Sequence, residues 1–111
     1  MTELREPTFL ILSALADGPK HGYAIIADAE AQSGGRVRLQ AGTLYAAIDR
    51  LVGEGLVRTS GEEIVEGRRR RYVELTEAGG AMLKADAERQ AANARRALDR
   101  LRGAASTAVA Q

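Results

Sequence analysis

A chain of 111 residues with a formal net charge of +1 has room for one modest domain and carries no global signal of a polyanionic partner. Its 45% hydrophobic and 28% charged content is that of a globular protein, and the absence of cysteine removes disulfide staples, thiolate metal sites and cysteine nucleophiles together. The opening Met-Thr-Glu-Leu-Arg-Glu-Pro has acids where a secretory leader needs basic charge before an apolar run, and Phe9 to Ala16 is too short to span a bilayer. A cytoplasmic protein without a membrane partner is expected.

Pro7 sits where a first helical residue should, and Phe9, Leu10, Leu12, Ala14 and Leu15 predict a helix that is apolar nearly all round, hence a central core helix. Asp17-Gly18-Pro19 ends it. A second helix is predicted from about His21 to Ser33, with Ile25, Ile26 and Ala29 for the core and Gly34-Gly35 as its stop. Arg36-Val37-Arg38-Leu39 alternates polar and apolar, which fits a short strand or an extended connector.

The stretch from Gln40 to Val57 organises the rest. Leu44, Ile48, Leu51 and Val52 recur at i, i+4, i+7 and i+8, the spacing of a helix with one buried face. Gly42, Thr43, Tyr45, Ala46, Asp49, Arg50 and Gly53 fall on the other side, which is small in bulk and polar without being heavily charged. A face that is merely solvated usually carries Lys and Glu; this one suits a helix that must press closely against something. Gly55 offers a left-handed stop before Leu56-Val57 begins an extended run. The pattern is that of the recognition helix of a winged helix-turn-helix.

Two runs with strand character follow, Leu56 to Ser60 and Arg70 to Leu75, separated by a loop with Gly61 and Gly67 that is too long to assign a turn type. Val73 and Leu75 are expected to face the core, Tyr72 and Glu74 to face away. Arg68-Arg69-Arg70-Arg71 is a compact cationic spot preceded by Glu62, Glu63 and Glu66. Strand alternation sends Arg68 and Arg70 to one side and Arg69 and Arg71 to the other, so only one pair can face a phosphate backbone well.

Thr76 is a good N-cap, with Glu77 in the first turn of a long stretch of strong helix formers reaching Arg102. Gly79 and Gly80 each weaken that helix by about 0.8–1 kcal/mol against Ala. Leu83, Ala87, Ala91, Ala94, Leu98 and Leu101 form a seam that a compact domain cannot fully cover, which argues for a partner helix and a homodimer. Residues 103–111 are expected to fray. The whole is read as mainly α with a small β-hairpin wing: a winged helix-turn-helix over 1–75, a dimerisation helix over 76–102 and a disordered tail over 103–111.

Four fragments in order, His21-Gly22-Tyr23-Ala24-Ile25, Gly42-Thr43-Leu44-Tyr45, Leu51 to Val57, and Gly67 to Gly79, together resemble the PadR family of transcriptional regulators. The resemblance runs from Pro7 to Leu101. It implies a winged-helix DNA-binding domain, a C-terminal dimerisation helix and action as a repressor, in the manner of short members with one C-terminal helix. Two departures stand out: Gln40-Ala41 occupies the place of the usual Ser-Pro, and Ala46 the place of a common proline. Some relatives bind flat aromatic drugs between tryptophans at the dimer centre; with no Trp here, that activity does not carry over.

The candidate DNA-binding residues are Tyr23, Gly42, Thr43, Tyr45, Arg50, Arg68 and Arg70. Thr43 and Tyr45 stand at the N-terminal end of the recognition helix, where such proteins place base and phosphate contacts; the alternative has Tyr45 packing on the second helix and Thr43 capping. Gly42 lets the backbone approach closely, or simply starts the helix. Arg50 reaches a guanine edge or a phosphate, or pairs with Asp49 or Glu54. The resemblance suggests that Tyr23 holds the DNA backbone; otherwise it is a core tyrosine with its hydroxyl at the rim. For the wing arginines, the alternative to phosphate is that the preceding glutamates fold back on them. His21, the lone histidine, has no second ligand at metal spacing, and no nucleophile–base pair, carboxylate pair or phosphate loop marks an enzyme.

The leading expectation is therefore a homodimer that binds an inverted repeat in double-stranded DNA and needs no cofactor. Two alternatives are a winged-helix protein-interaction module without DNA binding and a ligand-responsive repressor whose small-molecule effector sits between the C-terminal helices.

Overall fold

The computed structural model describes residues 4–110, with side chains through residue 105. The elements run α1 (Glu6–Ala14), β1 (Lys20–His21), α2 (Gly22–Gln32), α3 (Ala41–Gly53), β2 (Val57–Val65), β3 (Arg68–Leu75) and α4 (Glu77–Ala110). Three helices and a three-stranded antiparallel sheet of order β1-β3-β2 make the body, and α4 leaves it as a rod, so the molecule measures 69 × 28 × 21 Å.

Helix α1 is central, as its composition requires: Thr8, Leu10, Ile11, Leu12 and Ala14 are all buried. Ile11, Leu12 and Ala14 meet Ile25 of α2, Leu44, Ile48 and Leu51 of α3, and Leu56, Val57 and Val73 beside or within the sheet. Each apolar group removed from water contributes about 25 cal/mol per Å², so this continuous cluster is what fixes the helix angles. The predicted buried stripe of α3 holds for three of its four members. Val52 is 41% exposed, because its position lies about 100° beyond Leu51 and turns it away from α1. Residues 36–40 form the extended connector rather than a strand, with Val37 and Leu39 half-buried between exposed neighbours.

The sheet is longer than its sequence suggests. Strand β2 continues to Val65 and β3 begins at Arg68, leaving only Glu66 and Gly67 to turn the chain. Both have positive φ, +52° and +75°, the combination that matches the twist of a two-residue hairpin. A register shift between Thr59 and Gly61 places a bulge in β2, and the ladder then pairs Glu62 with Arg71 and Glu63 with Arg70. Val73 faces the core as expected and Leu75 is half-buried; Tyr72 and Glu74, on the other face of the strand, are half-buried as well.

Thr76 links the body to α4. Its amide donates to the Leu56 carbonyl at 3.1 Å and its hydroxyl to the Gly55 carbonyl at 2.6 Å. The same Oγ1 accepts from the Gly79 amide at 3.0 Å, which is the expected N-cap. Gly79 is buried in this junction: a Cβ there would stand 2.9 Å from the Leu56 carbonyl carbon and closer still to its oxygen. Gly80 faces open space. Further along α4, the buried Asp86 receives Arg89 and the Gln90 amide at 2.7 Å. Burial pushes its carboxyl up, but those bonds and one from the Leu4 backbone outweigh it and hold the group below the usual carboxylate range. Helix α4 runs past the boundary expected at residue 102 and is described through Ala110, while Gln111, the end of the tail expected to fray, lies outside the described residues.

Candidate nucleic-acid interface

The start of α2, the start of α3 and the wing (β2, its turn and β3) converge on one side of the body. His21 caps α2 with extended backbone and pairs with Tyr72 across the sheet, the two rings meeting edge to face at 5.4 Å. This contact brings the two-residue strand β1, which sequence periodicity is too short to register, into the sheet beside the wing. Gly22 follows as the first residue of α2, and its bare Cα is the seat for Tyr45: a Cβ there would come within 2.5 Å of the Tyr45 hydroxyl. Tyr45 thus packs against α2, as one of its two readings had it, and still exposes 44% of its surface. Tyr23 is 72% exposed, so it is no core residue.

Gly42 and Thr43 are exposed at the N-terminal end of α3. The three backbone amides of that first turn have no helical acceptor, and Gln40 supplies no side-chain cap, so they point outward with the positive end of the helix dipole. Between these helices and the wing lies a cleft of about 500 Å³ whose walls include His21, Tyr23, Tyr45 and all four arginines from Arg68 to Arg71.

The arginines differ in what they meet. Arg71 shares a strand face with buried Val73 and reaches the carboxylate of Asp49 on α3 at 3.5 Å. Arg69 stands 3.8 Å from Glu62. Arg68 and Arg70 lie on the opposite face, and among the described residues no carboxylate is within ion-pair distance of either. Glu63 instead accepts the Tyr72 hydroxyl at 2.8 Å, which with burial and the carboxylate's charge holds that phenol above its ordinary range against the opposing pull of Arg70. The fold-back of glutamates on the wing is therefore partial.

Arg50 takes up the pairing with Glu54 that its position left open, and adds a second partner. Its guanidinium donates to Thr8 of α1 at 3.1 Å and to Glu54 at 3.5 Å, so it is committed to the flank of α3 away from the wing. The seam of α4 also divides. Leu83 packs against the core cluster and Ala87 is half-buried, whereas Ala91, Ala94, Leu98 and Leu101 are exposed, the two leucines by 59% and 68%. Among the described residues no group of three or more His, Asp or Glu is placed to hold a metal ion, and no helix is long and apolar enough to cross a membrane.

Residues 11–85 match the profile of the transcriptional regulator PadR-like family. The chain is 48% identical over 82 residues to an uncharacterized 37.1 kDa protein in a transposon of Streptomyces fradiae; the match takes in 74% of this chain but spans only 22% of that relative's length. The fold superposes on a transcriptional regulator from Clostridium thermocellum with a TM-score of 0.66 and 25% identity, covering 84% of this chain and 87% of the other. It is similar as well to Bacillus subtilis PadR solved in complex with operator DNA, with a TM-score of 0.64 and 22% identity over 73% of this chain and 46% of that one.

Proposed function

Since the chain belongs to the PadR-like family of transcriptional regulators, we propose that it works in the cytoplasm as a homodimeric, sequence-specific DNA-binding repressor. Helix α3 enters the major groove, the wing arginines follow the phosphate backbone, and the exposed half of the α4 seam joins two copies. The observation that carries the reading is the free front of α3. Gly42, Thr43 and Asp49 face solvent, and the cationic wing stands beside them, meeting Asp49 through Arg71. A helix whose outward residues are small lets its backbone come close to a groove floor, while its first amides and dipole favour phosphate. Two such helices in a symmetric dimer would address half-sites about 34–36 Å apart.

Thr43→Ala combined with Tyr45→Phe tests the assigned face, since the Phe ring keeps the packing on Gly22 while both hydroxyls, and the exposed methyl of Thr43, are lost. Loss of gel-shift binding to DNA from upstream of its own gene, with circular dichroism and dimer mass unchanged, is the expected result. Undiminished binding would remove α3 from the interface. Failure of the wild-type chain to be retained on heparin or random duplex at low salt would instead favour a protein-interaction module, to which the near-neutral charge and the wing glutamates also lend themselves.

A further inference from the structure

Helix α3 carries one chemically distinctive side chain at the middle of its outward face. With Leu44, Ile48 and Leu51 buried, the residues opposite them are Gly42, Ala46, Asp49 and Gly53, at i, i+4, i+7 and i+11. Gly42 and Gly53 have open space where a side chain would begin. Thr43 and Tyr45 flank this stripe, and Arg50 is drawn aside to Thr8 and Glu54. Asp49, 72% exposed, is therefore the only group on the stripe able to make a hydrogen bond to a base edge.

A carboxylate at that place is unfavourable for generic DNA affinity, because it faces a polyanion. It is also acceptor-only, so the N7, O6 and O4 acceptors along the major groove repel it. The one base whose major-groove edge is a lone amino donor is cytosine, at N4. Arg71 lies 3.5 Å away on the wing, where it offsets the charge and orients the carboxylate. An exposed ion pair of this kind contributes only about 0–1 kcal/mol to stability, so folding does not account for it.

We propose that Asp49 is the base-reading residue of α3, accepting a hydrogen bond from a cytosine amino group at one position of each half-site, with Arg71 as its positioning partner. The assignment rests on the reading of α3 as the groove-entering helix. It makes the protein selective through an acid that rejects most bases rather than through a basic residue that attracts guanine.

The test is selection from a pool of duplexes randomised over a length that holds two half-sites, using the full chain. Wild type should enrich an inverted repeat with cytosine at one position of each half. Asp49→Ala should enrich the same repeat with that position degenerate, a loss of about 5- to 150-fold in discrimination there. Asp49→Asn should shift the preference toward adenine, whose N6 and N7 an amide matches. Arg71→Ala should weaken binding to every sequence and blunt the cytosine preference without replacing it. An Asp49→Ala protein that selects the wild-type repeat with every preference intact overturns the assignment while leaving DNA binding in place. A wild-type protein that enriches nothing over the starting pool removes the DNA-binding reading, and the assignment with it.

Discussion

Replacing either glycine of the Gly79-Gly80 pair by alanine should produce opposite effects on stability. Both lie in the first turns of α4 with ordinary helical backbone, so alanine at each gains about 0.8–1 kcal/mol of helix propensity. At Gly80 nothing opposes that gain, since the added methyl meets open space. At Gly79 the methyl would press on the Leu56 carbonyl, which is backbone held by the Thr76 amide at 3.1 Å and cannot swing aside. Overpacking of this kind costs about 1–3 kcal/mol, and breaking the Thr76–Leu56 bond adds about 0.5–1.5. The net loss for Gly79→Ala is then about 0.5–3.5 kcal/mol, a fall in Tm of at least about 2 °C, since 1 kcal/mol corresponds to about 4–8 °C in a domain of this size. Thermal melts followed at 222 nm, at one fixed protein concentration so that association does not shift the midpoint, measure the difference directly. A Gly79→Ala protein as stable as Gly80→Ala would refute the claim that the junction is packed to contact.

Three other outcomes are expected. Leu98→Glu with Leu101→Glu should yield a folded monomer in sedimentation velocity, because covering the exposed parts of these leucines on two helices is worth on the order of 4–8 kcal/mol; a dimer that survives both charges places the interface elsewhere. Arg68→Ala with Arg70→Ala should lower the slope of log affinity against log salt by about 0.9 for each phosphate that is no longer neutralised, and an unchanged slope in anisotropy titrations moves the backbone role to Arg69 and Arg71. Stability should be flat between about pH 5 and about pH 9 and decline below about pH 4. The sign follows from Glu6, lowered mainly by its two 2.5 Å bonds from Arg36, from Asp17, lowered by Lys20, and from Asp86. All three are depressed in the folded chain, so their contribution is present above the unfolded carboxylate range and disappears as they protonate. A midpoint that rises on acidification would contradict this.

The order of helices and the bounds of α3 are readable from the chain because local signals agree with packing there: Leu44, Ile48 and Leu51 keep helical spacing, and Gly55 takes the positive φ that a helix stop needs. The wing is legible only in outline. Glu62 and Glu63 look like loop residues in isolation, yet they stand opposite Arg71 and Arg70 in the ladder between β2 and β3, and that backbone pairing, which no local pattern reports, carries the strand on to Val65. Strand β1 has too few residues to show a period. Arg50 is legible in its i+4 pairing with Glu54, but its other partner, Thr8, lies 42 positions earlier, a separation that no short pattern reports. The same holds for Asp49, whose importance depends on Arg71 in another element and on two glycines that leave it standing alone. Gly22 does have a local signal, since it sits between a capping histidine and an aromatic, but Tyr45, for which it makes room, belongs to the next helix.

The joint at Thr76 has a mechanical meaning. A straight helix of 34 residues is about 51 Å long, so swinging its root by about ten degrees carries its far end about 9 Å, while the root itself scarcely moves. Because the root is hydrogen-bonded to the carbonyls of Gly55 and Leu56, the segment that closes α3, that segment is the first part of the body that a tilt of the rod would meet.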